Sequence, residues 1–176
     1  MNFREYVPLA MRTNKPKETK LENLLNACLG LVGEYAELSD SLSREEIKDE
    51  LSDIFWYTAL LHYTLETNYD VNYETNTSKS PLISHIGLIC DEVKKHAFQG
   101  HALSIMNLTN QAEKLLYSLY AQCANLYFTP SEIMEHNVAK LKKRYPAGFE
   151  VSKSVNRVEY QEQLSFDDYI GGQLNE

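Results

Sequence analysis

The segment that decides the fold spans residues 33–53 and reads GEYAELSDSLSREEIKDELSD. It carries two pairs of carboxylates at a spacing of three residues, Glu34 with Glu37 and Glu50 with Asp53. Residues three apart lie about 60° apart around a helix axis and share one face. If each pair lies on its own helix and the two helices form a hairpin, all four carboxylates can face one another.

The residues on both sides of the acidic pairs predict helices. Thr19 and Ser43 each precede a glutamate by three residues, which is the pattern of a reciprocal capping box. Apolar residues at spacings of three and four follow each cap, so we predict a first helix over 20–38 and a second that continues through the apolar run at 54–65. Their short connection makes the two helices antiparallel neighbours.

Three further helical patterns predict an all-α protein, a helical bundle that forms one domain over residues 1–176. Strand signals are scarce. Residues 1–18 predict a short helix or turn followed by a loop, and 67–80 predict a second loop. A third helix runs from Pro81, capped by Ser80, to about residue 98, with Gly100 after its end, and a fourth covers 103–126. A fifth starts at Pro130, capped by Thr129 and Glu132, and stops before Pro146, and a loop-rich C-terminal tail covers about 150–176.

The composition excludes several classes of protein. A hydrophobic fraction of 43% and a charged fraction of 24% are typical of a globular chain and unlike a disordered one. A net charge of −8 argues against nucleic-acid binding through the whole surface. Without an apolar run of membrane-spanning length or a signal peptide, we expect a cytoplasmic protein with no membrane partner. Three cysteines in separate apolar stretches, Cys28, Cys90 and Cys123, predict reduced core residues.

The four carboxylates predict a site for a divalent cation. Four like charges close together repel one another unless cations neutralise them. Oxygen ligands without a nearby histidine or cysteine favour Mg²⁺, with Mn²⁺ possible. A di-iron bundle is disfavoured because no glutamate has a histidine three residues later. The simpler alternative, two acidic faces that only contact solvent, stays open at this point.

Two segments resemble one known family. LGLVGEYAELSD (29–40) and EEIKDELSDIFWYTALL (45–61) resemble the E-x-x-E and E-x-x-D motif of the MazG-like all-α nucleoside triphosphate pyrophosphohydrolases, here with 12 residues between Glu37 and Glu50. NVAKLKKRYPAGFE (137–150), followed by SVNR at 154–157, is similar to a second MazG-like segment. The resemblance covers about 20–66 and 130–157, and the region between them, 67–128, contributes two additional helices to the predicted bundle.

The resemblance implies hydrolysis of a nucleoside triphosphate to a monophosphate and pyrophosphate. Glu34, Glu37, Glu50 and Asp53 would hold Mg²⁺, and Glu34 or Glu37 would act as the catalytic base. A generalist and a specialist for dUTP or dCTP both stay open, as does a catalytically silent helical protein with an oligomerisation or regulatory role.

Candidate substrate-binding residues come from both segments. Asn137, Lys140 and Arg144 lie three and four residues apart and share one helix face, where they could meet a triphosphate. The alternative is a basic helix end that compensates the helix dipole. Lys48 is a further candidate for phosphate contact, and Trp56 and Tyr145 are candidates for contact with the base or sugar, although each could equally belong to a solvated surface or the core.

The apolar residues also predict an oligomer. The run IFWYTALLHYTL at 54–65 is apolar around most of its helix, and a helix of that kind must be covered on all sides. Leu29 and Val32 likewise cannot share a single groove with the other leucines of the first helix. Either the remaining helices of the chain cover these residues or a second subunit does. We expect a homodimer or a dimer of dimers, as the resemblance implies, with the pocket near the interface and Lys140 or Arg144 as the residues that two subunits could share.

Overall fold

Six α-helices make up the regular secondary structure in a computed structural model, which describes residues 1–15, 17, 19–67 and 80–150. The all-α prediction is confirmed. None of the described helices combines the length and apolar character needed to cross a membrane. The tail from residue 151, with the SVNR segment, and all but the two ends of the loop predicted over 67–80 lie outside the described residues. In chain order the helices are α1 (Phe3–Met11), α2 (Lys20–Asp40), α3 (Arg44–Leu65), α4 (Leu82–Gln99), α5 (Ile105–Asn125) and α6 (Pro130–Arg144).

Reciprocal caps start four of the six described helices, and the sequence predicts three of them. At the start of α3, the Ser43 backbone N–H donates to Glu46 Oε2 at 2.8 Å, and the Glu46 N–H donates to Ser43 Oγ at 3.1 Å. Caps of this kind satisfy backbone donors that the first turn leaves unpaired, and each contributes about 1 kcal/mol. The three predicted pairs are Thr19 with Glu22 at α2, Ser43 with Glu46 at α3 and Thr129 with Glu132 at α6.

The N-terminal segment forms a short helix, which is one of the two alternatives that its sequence pattern left open. A capping box joins Asn2 to Glu5 at the start of α1, and the helix continues past Pro8, which is exposed. A proline inside a helix costs about 3 kcal/mol because it removes a hydrogen bond and crowds the preceding turn. Packing against α3 and α6 offsets that cost, through the buried side chains Phe3, Tyr6, Val7 and Ala10.

The start of α4 differs by one residue from the prediction. Pro81 is the N-cap residue, not the first helical residue, and α4 has no side-chain cap, so the cap predicted at Ser80 is wrong. The predicted end is confirmed: Gly100 follows the helix with φ of 71°, a left-handed conformation that suits glycine.

The hairpin of α2 and α3 is antiparallel, as its short connection predicts. At its open end Lys20 forms an ion pair with Glu66. Midway along the hairpin the ring of Tyr57 lies directly against Gly30, where a Cβ atom would overlap the ring. The acidic segments of α2 and α3 lie about one helical turn from this contact. The close approach of the two helices therefore also brings these segments together.

The central helix of the bundle is α3, which packs against α1, α2, α5 and α6. Phe55, Leu60 and Leu61 are among its fully buried side chains. Helices of the same chain therefore cover α3, which is one of the two alternatives that its apolar pattern left open. On α2, by contrast, Leu29 is 75% exposed and Val32 is 48% exposed. The homodimer stays a prediction.

Candidate metal centre

Three carboxylates converge across the α2–α3 hairpin. Glu34 projects from α2, while Glu50 and Asp53 project from the first half of α3, and one oxygen of each lies within 4.8 Å of the other two. All three side chains are partly buried. The spacing of three predicts the Glu50–Asp53 pair on one helix face, and the hairpin adds Glu34 from the opposite helix.

Glu37 lies outside this group of three. Its side chain is exposed, one turn beyond Glu34 on α2. It is nevertheless close enough for its charge to contribute to the raised pKa values of Glu34 and Glu50. The structure thus brings together three of the four predicted ligands, and a ligand role for Glu37 stays a prediction.

Both oxygens of Asp53 are held from α6. Asn137 Nδ2 donates to Asp53 Oδ1 at 3.1 Å, and Lys140 Nζ donates to Asp53 Oδ2 at 2.9 Å. Asn137 is fully buried, and the Tyr6 hydroxyl donates to its Oδ1 at 2.7 Å. An ionised carboxylate only accepts hydrogen bonds, so the amide must turn its N–H groups toward Asp53 and its oxygen toward Tyr6. A chain of two hydrogen bonds therefore connects α1 to a candidate metal ligand.

The Tyr6 hydroxyl is a reliable donor in this chain. Burial, with a smaller contribution from the charge of Asp53, raises the pKa of Tyr6 well above its usual range. The hydroxyl therefore keeps its proton at any physiological pH. Neither motif segment contains Tyr6, and no local pattern in the sequence marks it as part of the site.

Asp49 forms a second cation contact next to the cluster. Lys140 Nζ lies 3.4 Å from Asp49 Oδ1, and His136 Nε2 lies 2.6 Å from the same oxygen. Burial alone would raise the pKa of Asp49, but the hydrogen bond from His136 and the charge of Lys140 outweigh it and leave the pKa below the usual value. Sequence reasoning missed Asp49 and His136, although each directly precedes a predicted site residue.

The acidic cluster itself is poorly compensated. Burial, the charge of Asp53 and a hydrogen bond with Glu50 raise the pKa of Glu34 to about 8. The pKa of Glu50 is also raised, by burial and by the charges of Glu37 and Asp53, although its hydrogen bond with Glu34 acts in the opposite direction. Without metal, Glu34 therefore holds a proton at neutral pH and shares it with Glu50. This proton neutralises one of the negative charges that a cation would otherwise offset.

The donors fit a hard divalent cation. The convergent atoms are carboxylate oxygens, which Mg²⁺ and Mn²⁺ prefer. In octahedral Mg²⁺ coordination, opposite ligand oxygens lie about 4.2 Å apart and adjacent ones about 3 Å apart. Three oxygens that all lie within 4.8 Å of one another can approach these distances when their side chains rotate.

The two aromatic candidates contact the end of α1 and the residues that follow it. Trp56 Nε1 donates to Ala10 O and Thr13 Oγ1, both at 3.1 Å, so the indole N–H is directed toward the end of α1. Tyr145 is 3% exposed, and its carbonyl oxygen accepts a hydrogen bond from Arg12. Their contact with a base or sugar stays a prediction.

The two other predicted cations also lie outside the cluster. Lys48 is partly exposed in the first half of α3, and its charge is one of the smaller contributions that lower the pKa of Glu132, after the capping bonds with Thr129. Arg144 is partly exposed in the last turn of α6, one turn beyond Lys140. The structure therefore brings Asn137 and Lys140 to the acids but not Lys48 or Arg144.

No protein-family model matches the chain, and no curated protein or solved structure matches it. The family resemblance therefore rests on the two motif segments quoted above.

Proposed function

We propose that this chain is a Mg²⁺-dependent hydrolase that converts nucleoside triphosphates to nucleoside monophosphates and pyrophosphate, with Mn²⁺ as a possible substitute metal. The observation that carries the proposal is the meeting of the two motif segments at Asp53. Asn137 and Lys140 hold the two oxygens of a carboxylate that lies more than 80 residues earlier in the chain. A carboxylate that only contacted solvent would not be held by two side chains of a distant helix.

Each carboxylate has a role in this proposal. Glu34, Glu50 and Asp53 would hold the metal ion, with Glu37 as the fourth ligand that the motif implies. When bound, Mg²⁺ supplies positive charge that polarises phosphoryl oxygens and lowers the pKa of a nearby water. Glu34 or Glu37 accepts the proton of the attacking water.

Residues of α1 and α6 orient the site. Asn137 fixes the direction of Asp53 Oδ1, and Tyr6 fixes Asn137, so the carboxylate has little freedom to rotate. Lys140 lies beside the same carboxylate with its side chain 10% exposed, and a phosphate bound at the carboxylates would come close to its ammonium. Arg144, one turn further along α6, would supply a second cation to the triphosphate.

The base would be recognised by an aromatic ring face. Because the indole N–H of Trp56 is already hydrogen-bonded, this residue would contribute stacking and no hydrogen bond to the base. Stacking alone discriminates weakly between bases, which favours a generalist over a specialist for dUTP or dCTP. A cytoplasmic location is part of the proposal and is consistent with three free cysteines.

The test is a panel of ribonucleoside and deoxyribonucleoside triphosphates, incubated with the purified full chain and Mg²⁺ and resolved by anion-exchange chromatography. We expect monophosphate and pyrophosphate in equal amounts, no reaction after removal of divalent ions with EDTA, and recovery when Mg²⁺ is restored. Orthophosphate and diphosphate as products would contradict cleavage between the α- and β-phosphates.

A catalytically silent helical protein is the second candidate. The observation that favours it is the position of Lys140, whose ammonium contacts both Asp49 and Asp53. Calorimetric titration with Mn²⁺ separates the two candidates. A silent protein whose acids are neutralised by Lys140 would show no saturable binding, whereas the hydrolase requires it.

A further inference from the structure

Two cysteines that lie far apart in the sequence meet between α2 and α4. Cys28 lies in the middle of α2 and Cys90 in the middle of α4, and these two helices pack against each other. The Cys90 thiol lies 3.8 Å from the backbone oxygen of Cys28, within hydrogen-bond range for sulfur, and each of the two thiols influences the pKa of the other. Both cysteines are free.

We propose that Cys28 and Cys90 form a dithiol site that reacts with low-molecular-weight disulfides, such as glutathione disulfide, and closes a disulfide bond between α2 and α4. A thiol this close to the backbone of the other cysteine places the two side chains within reach of a disulfide bond, whose sulfur atoms lie about 2 Å apart. This inference is independent of the proposed hydrolase function.

The reaction proceeds by two thiol–disulfide exchanges. The Cys90 thiolate attacks one sulfur of glutathione disulfide, which forms a mixed disulfide on Cys90 and releases one glutathione thiolate. Cys28 then loses its proton and attacks the Cys90 sulfur, which forms the Cys28–Cys90 bond and releases the second glutathione thiolate. The two protein sulfurs lose two electrons to the small disulfide, and the two protons they shed end on the two released glutathiones.

The structure assigns the first attack to Cys90. Its side chain is partly exposed, whereas Cys28 is 5% exposed and out of reach of a tripeptide disulfide. The hydrogen bond from Cys28 lowers the pKa of Cys90 despite its burial. The same hydrogen bond, together with burial, raises the pKa of Cys28. One thiol is therefore activated and accessible, and its neighbour is positioned to resolve the mixed disulfide.

The third cysteine provides an internal control. Cys123 lies in α5, is fully buried, and has its pKa raised to about 12, mainly by burial. A thiol in that environment reacts slowly with any disulfide.

The disulfide bond between Cys28 and Cys90 would attach α2, the helix that carries Glu34, to α4. The oxidised protein would therefore differ measurably in structure from the reduced one.

The experiment incubates the reduced full chain with glutathione disulfide under native conditions, followed by acid quenching, alkylation of free thiols and intact mass spectrometry. We expect the wild-type protein to lose two hydrogen masses and to retain one of its three free thiols. Peptide mapping should identify a Cys28–Cys90 cross-link. The Cys123→Ser variant should behave in the same way and retain no free thiol.

Two further variants test the order of attack. Cys28→Ser should stop at the mixed disulfide and keep one glutathionyl group on Cys90, whereas Cys90→Ser should remain unmodified at Cys28. A wild-type protein that stays reduced, or that keeps a glutathionyl group on Cys90 without losing two hydrogens, would overturn the dithiol site. Modification of Cys28 in Cys90→Ser at the wild-type rate would overturn the assigned order.

Discussion

The two halves of α3 place ionisable side chains in contrasting environments. The first half carries Glu50 and Asp53, which are partly exposed and lie beside Lys140, Asn137 and a third carboxylate. The second half runs through the core and carries His62, which is 1% exposed. Charged side chains occur where solvent and oppositely charged partners reach the helix, whereas the buried half carries a histidine without a charged partner among its hydrogen bonds.

His62 shows how the buried half avoids a charge. Its Nε2 donates to the Ala112 carbonyl oxygen at 3.1 Å, because a carbonyl only accepts, and its Nδ1 then accepts from the Thr67 hydroxyl at 2.8 Å. Burial lowers the pKa of His62 to about 4, although the bond to Ala112 acts in the opposite direction. The neutral ring is fully hydrogen-bonded, so the same helix combines a site that attracts cations with a core that excludes them.

The largest expected effect is the loss of activity when a carboxylate of the first half is neutralised. Asp53→Asn keeps the side-chain volume but removes the charge that Lys140 and a metal ion share. We expect kcat/KM for nucleotide hydrolysis to fall about 1000-fold, which corresponds to about 4 kcal/mol. Asp40→Asn, at an exposed acid near the end of the same hairpin, is the matched control and should retain activity. Near wild-type kcat/KM in Asp53→Asn would remove this carboxylate from the site.

The second effect concerns pH and the buried half of α3. The pKa of His62 is lower in the folded protein, about 4, than the usual 6.5, so between these values the unfolded state binds more protons. Stability should therefore fall as pH decreases through this window, by about 3 kcal/mol from this residue. Urea unfolding of the wild type and His62→Gln from pH 7.5 to pH 4 measures the contribution. The variant should show the flatter dependence, and equal slopes would contradict a neutral buried ring.

A smaller effect is expected at the connection between the core and the carboxylates. Tyr6→Phe removes one hydroxyl, leaves Asn137 Oδ1 buried without its donor, and should destabilise the protein by about 1–2 kcal/mol. It should also weaken Mn²⁺ binding about tenfold, because supporting groups of metal ligands have effects of this size. Calorimetry measures the affinity, and Tyr120→Phe on α5 is the control. Reduced stability with unchanged Mn²⁺ affinity would make the role of Tyr6 purely structural.

The smallest effect on the single chain is expected on the outer face of α2. Leu29 is 75% exposed, so Leu29→Gln should change the stability of one chain by less than about 0.5 kcal/mol. If a second subunit covers this face, the wild-type mass by light scattering should be at least twice 20.3 kDa, and the variant should dissociate. The control is Leu42→Gln, at a 95% exposed leucine in the α2–α3 connection, and this variant should not dissociate. A wild-type protein of single-chain mass would refute the homodimer.

Local sequence patterns were sufficient to predict helix starts where neighbouring residues supply the capping hydrogen bonds. The capping pairs at Thr19, Ser43 and Thr129 predict three helix starts because the hydrogen bonds are made within one turn. The same reasoning is wrong at Ser80, where the chain begins α4 without a side-chain cap, and it is indecisive for α1, where packing against α3 and α6 offsets the cost of Pro8. In α1, tertiary contacts override the local preference.

The sequence by itself determined the helical class, most helix boundaries and the spacing that aligns Glu50 with Asp53, because helix periodicity is a local property. Only the tertiary structure decided that Glu34 joins that pair while Glu37 stays outside, since the register between α2 and α3 depends on how closely Tyr57 packs against Gly30. The same holds for Tyr6, which reaches Asn137 through a contact spanning most of the chain. Such contacts depend on how the helices pack against one another, and no pattern within a single helix encodes them.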